Sequence, residues 1–340
     1  MHYRHIVITC ALAMGLGPPA VVAQPAQPVT VQNFNRAETD HYFAAFVAEI
    51  GLGRLAHERD VAAISHQPVI RMNRDTLYSR IVVDLDAGPV TITMPETGGR
   101  FQSLLVIDQD HFNPAVIHDA GRHVFTREAI GTRYAAFVFR TFANSNDPAD
   151  LQAAHTLQDR IIFQQVAPGR LELPSWNSTA LDAIRGLLNT LASMPGTTLD
   201  GFGRRGTVDP IAHLLATAAG WGGNPREAAI YNNITPPTND GTTIHHLRLR
   251  DVPVDGFWSI SVYNESGYFE ANPLNSYSVN NVTARRETDG SVLVQFGGCT
   301  PAIANCLPTQ RGWNSLARLY RPRPAVLSGT WQFPRPEPAR

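Results

Sequence analysis

The residues with the most chemistry to offer stand together in Arg71-Met72-Asn73-Arg74-Asp75-Thr76-Leu77-Tyr78-Ser79. Guanidinium groups, a carboxylate, an amide and hydroxyls lie directly before Arg80 to Met94, the most apolar and strand-like run of the N-terminal half. A polar cluster that feeds a core strand is expected to be partly buried. Buried polar groups must be hydrogen-bonded and buried charges paired. Arg74 and Asp75 are therefore expected either as an internal lock or as the floor of a site. Together with Tyr78, Arg133 and Arg140 they could form an anion pocket, because a guanidinium grips a carboxylate or phosphate through two parallel bonds. A structural Arg–Asp pair is the competing expectation.

Three further groups have chemical potential. Asp108 and Asp110 would share one face of a strand, with His111 next in sequence. They could hold a hard cation or pair as carboxylates, although capping of a loop is the plainer expectation. His155 has Gln158 and Asp159 at i+3 and i+4, on one face of an expected helix, so Asp159 could orient His155 as a general base. Trp221, Tyr231, Trp258, Tyr263 and Trp313 could line an apolar cleft, or simply fill a core. Asp75, His111 and His155 are thus the candidate catalytic residues. Arg74, Tyr78, Asp108, Arg140, Trp221 and Trp258 are the candidate substrate contacts.

Several classes of chemistry have no support. The chain lacks a Gly-x-Ser-x-Gly elbow, a His-Glu-x-x-His pair, a Cys-x-x-Cys pair and a calcium loop, so neither metal nor cofactor is expected. It contains no Lys, which removes Schiff-base chemistry, lysine-anchored pyridoxal phosphate and a Walker A loop. Lys+Arg of 28 against Asp+Glu of 29 gives no basic footprint for nucleic acid or an anionic membrane.

The 340 residues must position these groups in about two domains. Residues 1–23 are expected as a signal peptide. Arg4 precedes the short apolar run Ile6 to Leu16, Gly17-Pro18-Pro19 breaks it, and Val21-Val22-Ala23 offers a cleavage site. Export to the periplasm or medium follows, with no membrane attachment after cleavage. Removal of the leader takes Cys10 with it and leaves Cys299 and Cys306, seven apart, for which a disulfide is expected in an oxidising compartment. After a linker over 24–34, residues 35–146 are expected as a helix followed by a β-sandwich. The helix runs from Asn35 towards Arg59, a hairpin turns at Asp86-Ala87-Gly88-Pro89, and further strands cover Phe101 to Ile107 and Tyr134 to Phe142. Residues 147–240 are expected as a helical segment, with starts at Asp147-Pro148 and Asp209-Pro210 and an apolar face from Leu181 to Leu191. Strands return over 241–340, including Ile244 to Arg250, Phe257 to Tyr263, Ser291 to Phe296 and Ser315 to Tyr320.

The runs Asn73-Arg74-Asp75-Thr76-Leu77-Tyr78-Ser79, Asp108-Gln109-Asp110-His111-Phe112 and His155-Thr156-Leu157-Gln158-Asp159 resemble one domain of a large bacterial two-domain family. Gly220-Trp221-Gly222-Gly223, Asp255-Gly256-Phe257-Trp258-Ser259, Asn272-Pro273-Leu274-Asn275 and Leu319-Tyr320-Arg321-Pro322 resemble the other. The two are known as domains of unknown function 1254 and 1214. The resemblance implies a mainly β fold with a helical insert: an immunoglobulin-like β-sandwich, a helical segment and a C-terminal jelly-roll-like β-domain. It brings no established reaction. Two functions are expected to compete. One is an exported hydrolase of a small or medium ester- or amide-like substrate, with its site between the β-domains. The other is a non-catalytic periplasmic ligand-binding or assembly protein. Exposed sandwich edges leave homo-oligomers open.

Overall fold

The polar cluster runs directly into β2 (Thr76–Asp84), whose last four residues are all buried. β2 pairs antiparallel along its whole length with β7 (Tyr134–Phe142), from Thr76 opposite Phe142 to Asp84 opposite Tyr134. β4 (Gln102–Asp108) flanks β7, and β1 (Ala56–His57) and β5 (Ala115–Ile117) form the edges, in the order β1-β2-β7-β4-β5. β3 (Val90–Met94) joins β6 (Gly121–Phe125) and β8 (Ile162–Gln164) in a second sheet, ordered β6-β3-β8. Ile81, Val83, Ile92, Leu104, Val106, Phe137 and Phe139 fill the space between the sheets. The other face of the larger sheet, with Val82, Leu105, Ile107 and Val138, packs on Phe43 of α1 (Phe34–Ile50) and on Trp221. Because both faces are covered, these strands are almost continuously apolar rather than alternating. The computed structural model describes residues 25–67, 70–197, 199–236 and 238–339, and the leader expected over 1–23 lies outside them.

The turn at Asp86-Ala87-Gly88-Pro89 does not close a hairpin. β2 and β3 belong to different sheets. A 3-10 turn, Leu85–Ala87, ends at Gly88 with φ 125°, and this corner carries the chain from one sheet to the other. Asp84 anchors the corner. Its carboxylate accepts from Arg133 Nε at 3.0 Å and Nη2 at 2.9 Å, and from the Arg170 amide at 3.1 Å. Arg133 is held there, away from any anion pocket. The first helix also stops earlier than its expected end near Arg59. Gly51 (φ 89°) terminates α1, and residues 56–57 become an edge strand instead.

α2 (Arg127–Ile130) is a single turn before β7. α3 (Pro148–Asp159) and α5 (Pro210–Gly220) begin where Asp-Pro predicts, with Asp147 and Asp209 accepting from the first free amides. α4 (Ser178–Ala192) packs Leu181 and Leu188 against Phe34 and Ala37 of α1 and Leu215 of α5.

The C-terminal strands stack as two four-stranded sheets in a jelly-roll-like arrangement. One is ordered β12 (Ser278–Asn280), β11 (Trp258–Tyr263), β15 (Asn314–Tyr320), β9 (Ala229–Ile234). The other is β14 (Cys306–Leu307), β13 (Val292–Phe296), β10 (His245–Leu249), β16 (Glu337–Pro338), with α6 (Pro324–Leu327) following β15. Trp258 and Trp313 sit in the core between these sheets with Leu247, Ile260, Val294 and Phe296, so they line no cleft. The Cys299–Cys306 disulfide forms, with Cα atoms 5.6 Å apart. Among the described residues no helix is long and apolar enough to cross a membrane.

The outward face of the β11–β15 sheet is polar. Cross-strand register places Asn280, Ser259, Arg318 and Tyr231 in one row, and Ser278 beside Ser261 in the next. This face meets the start of β2, and the candidate site lies in that seam.

Candidate functional site

Tyr78 and Arg140 are direct neighbours across the β2–β7 ladder. Their side chains share the face that looks towards the loop after α5. Arg140 is only 6% exposed. Its Nη1 donates to Asn224 Oδ1 at 3.1 Å and its Nη2 to the Gly222 carbonyl at 2.8 Å. Asn224 in turn donates to the Tyr231 hydroxyl at 3.0 Å. Tyr231 is 37% exposed and forms the rim, whereas Tyr320, whose hydroxyl accepts from Asn73 at 3.2 Å, is buried. Among the described residues no carboxylate lies within 4.0 Å of the Arg140 guanidinium. A buried charge without an opposite partner is costly unless other dipoles replace its water.

Here phenols do so. Burial works against the charged form of Arg140, but the Tyr78, Tyr231 and Tyr320 hydroxyls outweigh it and hold the guanidinium above its ordinary range. Tyr78 responds in the opposite sense. Burial would raise its pKa, yet the Arg140 charge and polar contacts from Asn73 and Arg140 hold it below the usual tyrosine value. Burial and the neighbouring Tyr231 push Tyr320 well above that value.

A second buried guanidinium, Arg318, lies in the same seam. It donates to Ser261 Oγ at 3.1 Å, to the Arg71 carbonyl at 2.7 Å and to Tyr263 Oη at 2.8 Å. The nearby phenols of Tyr263 and Tyr320 overcome the effect of burial and raise its pKa. Asp75 reaches across from the β2 side. Its Oδ1 accepts from Ser278 Oγ and Asn280 Nδ2, both at 3.0 Å.

Residues 52–125 match the family model described as protein of unknown function (DUF1254), and residues 235–324 match the one described as protein of unknown function (DUF1214). The chain carries the DUF1254 and DUF1214 domains, in that order. Asp75 and Tyr78 fall in the DUF1254 segment and Ser278, Asn280, Arg318 and Tyr320 in the DUF1214 segment, so the two matched stretches meet at the seam. The VPA0106 protein from Vibrio parahaemolyticus superposes with a TM-score of 0.71 at 17% identity, over 91% of this chain and 98% of that one. An uncharacterized protein from Burkholderia cenocepacia gives 0.48 at 14% identity, over 86% and 85%. The first likeness shows a shared fold. No curated protein matches the chain.

In this DUF1254–DUF1214 protein the other candidate residues have different surroundings. Arg74 and Asp75 are adjacent but do not pair. Arg74 donates to the Ala62 carbonyl and lies 5.1 Å over the Tyr277 ring. His111 is fully buried with φ 70°. Its Nε2 accepts from the Gly222 amide at 2.9 Å, which places the proton on Nδ1, facing Thr217 Oγ1 at 2.8 Å. Burial, then His213, hold it neutral. Both ring nitrogens are engaged, so His111 braces the loop that holds Arg140 and presents no free lone pair. Asp108 is fully buried. It caps the turn by accepting from the amides of Asp110 and Phe112 at 2.8 and 2.9 Å, and Arg205 bridges it to Asp110. His155 Nε2 meets the Arg59 carbonyl at 2.6 Å, and Asp159 pairs with Arg59 rather than with His155. Trp221 stacks on Tyr42 at 4.3 Å and donates to Thr39 Oγ1 at 3.2 Å, beside the Arg140 loop.

Arg318, Asn224 and Tyr320 complete the seam without a place among the expected site residues, whereas Tyr231, expected in a cleft or a core, forms its rim. Arg318 had a usable signal: a cation in the middle of the apolar strand Leu316 to Tyr320 must face something polar.

Proposed function

We propose that this protein recognises a small organic anion at the Tyr78–Arg140 seam. One observation carries this reading: a guanidinium 6% exposed and balanced by neutral oxygens alone among the described residues. Such a cation attracts a carboxylate strongly, because its donors are preorganised and shielded from water. Tyr231, at the rim, supplies a polar edge and an aromatic surface by which a ligand body would enter. The Cys299–Cys306 disulfide supports an exported, periplasmic setting.

Hydrolysis of an ester- or amide-like substrate is a second reading, favoured by the lowered pKa of Tyr78 beside Arg140. Tyr78, as phenolate, would take a proton from the attacking water while Arg140 stabilises the developing oxyanion; collapse of that intermediate would break the bond to the alcohol or amine, which would leave with the proton returned by Tyr78.

Calorimetric titration with acetate, benzoate, succinate and phosphate tests recognition. A carboxylate is expected to bind, to raise the melting temperature, and to lose affinity at least tenfold in Arg140→Gln. Tyr231→Phe is expected to weaken binding and, by leaving the Asn224 amide unpaired, to cost no more than about 1–3 kcal/mol of stability. Absence of binding by every anion, or full affinity in both variants, would overturn the proposal. For the second reading, an ester turned over by the wild type at the same rate in Tyr78→Phe counts against Tyr78 as base.

A further inference from the structure

A separate cleft of about 440 Å³ opens where the two β-domains adjoin. That volume lies within the ~300–1,000 Å³ range of small-molecule sites. Asn144 and Asn146, after β7, form one wall, and residues between Leu274 and Cys306 form the other. None of the residues lining it is charged. Leu274, Val279, Pro301 and Ile303 give it an apolar strip beside its amides and hydroxyls. A site of this kind rejects ions, which would lose water without gaining an opposite charge. It suits a molecule with hydroxyls on its edges and C–H groups on its face.

A second observation comes from beneath the wall. Ser278, which lines the cleft, donates to Asp75 Oδ1 at 3.0 Å. Asp75 is 1% exposed, and its Oδ2 has no hydrogen-bond partner. Arg318 does not fill that role, because its bonds go to Ser261, Tyr263 and the carbonyls of Arg71 and Met72. Ser259 Oγ, beside Asn280 and Arg318 in the same row, is likewise buried and unpartnered. A carboxylate oxygen buried without a donor is costly, so Asp75 leans on its bonds to Ser278 and Asn280 and fixes Ser278 in the wall.

We infer that this cleft is a binding site for a neutral, hydroxyl-rich ligand of about the size of a sugar unit. Asn144, Asn146 and Ser278 hold its hydroxyls, Asp75 backs Ser278, and the Leu274–Ile303 strip covers its apolar face. The disulfide-closed loop forms part of the wall, tied down where Ser276 Oγ donates to the Cys306 carbonyl at 2.7 Å. The cleft shares Ser278 and its Asp75 partner with the seam but is lined by neither Tyr78 nor Arg140, and it does not depend on an anion binding there.

Saturation-transfer NMR and calorimetry with glucose, N-acetylglucosamine and maltose, with glucuronate as the charged counterpart, provide the test. At least one neutral saccharide is expected to bind, with glucuronate at least tenfold weaker than glucose. Ile303→Trp, at a position 37% exposed, fills the cleft without disturbing the core and is expected to abolish binding. Ser278→Ala is expected to weaken it at least tenfold, and succinate is expected not to compete. Three results would each overturn the inference: no neutral saccharide binds, binding survives Ile303→Trp, or glucuronate binds as well as glucose. Competition by succinate would likewise sink it, by merging the two sites. Loss of anion binding in Arg140→Gln bears only on the seam.

Discussion

Tyr78 and Arg140 oppose each other across the β2–β7 ladder, with the guanidinium carbon 5.4 Å from the phenol ring centroid. Burial alone would suppress ionisation of that phenol, and the cation reverses the outcome. Ultraviolet difference titration is therefore expected to find one tyrosine ionising below the ordinary value of about 10. In Arg140→Gln the largest influence opposing burial is removed, and the early-ionising tyrosine is expected to shift to higher pH. The associated stability has a definite sign. The depressed Tyr78 contributes increasingly as pH rises from its folded value towards about 10. The raised Tyr320 contributes below about 10 and loses that contribution at higher pH. The two oppose each other, so absorbance discriminates where melting curves do not.

His111 has a bracing role that predicts a stability phenotype. His111→Ala removes the acceptor of the Gly222 amide and the partner of Thr217, and leaves a hole in a fully buried position. A loss of about 2–4 kcal/mol is expected in urea unfolding. Because the Gly222 carbonyl holds Arg140, anion affinity is expected to fall in the same variant.

The two neighbours Arg74 and Asp75 are expected to respond very differently. Asp75→Ala strands the donors of Ser278 and Asn280 inside the seam, at a cost of about 1–3 kcal/mol. Arg74→Ala removes a carbonyl contact and a ring contact at a half-buried position, at about 1 kcal/mol or less. Equal losses in thermal or chemical unfolding would contradict this division.

His118 predicts an acid limb. Burial first, and the charge of Arg321 second, lower its pKa to about 4. Its neutral form is favoured in the folded state, so its contribution is complete above about 6.5 and is lost as pH falls towards 4. His118→Gln is expected to flatten the decline in stability over that window, measured by unfolding at successive pH values.

The disulfide closes a short loop, with a sequence separation of 7. Chain-entropy reasoning gives about 2 kcal/mol for a loop of that size. Cys299→Ala/Cys306→Ala is expected to lose about that much in denaturant unfolding, and to weaken saccharide binding if its loop walls the cleft.

Local signals in the sequence were faithful where they depend on backbone chemistry. Asp147-Pro148 and Asp209-Pro210 mark helix starts because the carboxylate and the ring satisfy the first turn whatever packs around it. The run Tyr134 to Phe142 is a strand to the residue, since β-branched and aromatic residues covered on both faces leave few alternatives. The corner at Leu85–Ala87 was not legible as one. Whether a Gly-Pro turn closes a hairpin or switches sheets depends on which partners the strands find, and β2 pairs with β7, more than fifty positions away at its start. The site was half legible for the same reason. Tyr78, Arg140 and Asp75 stand in polar runs, but Asn224, Ser278, Arg318 and Tyr320 join them only through the docking of one β-domain on the other. His155 and Asp159 fail as a pair because Arg59, about a hundred residues away, reaches Asp159 first.

The seam that shields Arg140 also sets how quickly anything can leave it. A ligand bonded there is enclosed by Asn224 and Tyr320, each under 5% exposed, with Tyr231 at the mouth. Departure must disturb the Asn224–Tyr231 hydrogen bond and bring water back to the guanidinium in the same event. Slow release of this kind lengthens residence time. A slowly exchanging ligand would accompany the protein through purification, so mass spectrometry of the native protein before any dialysis is where it would first be seen.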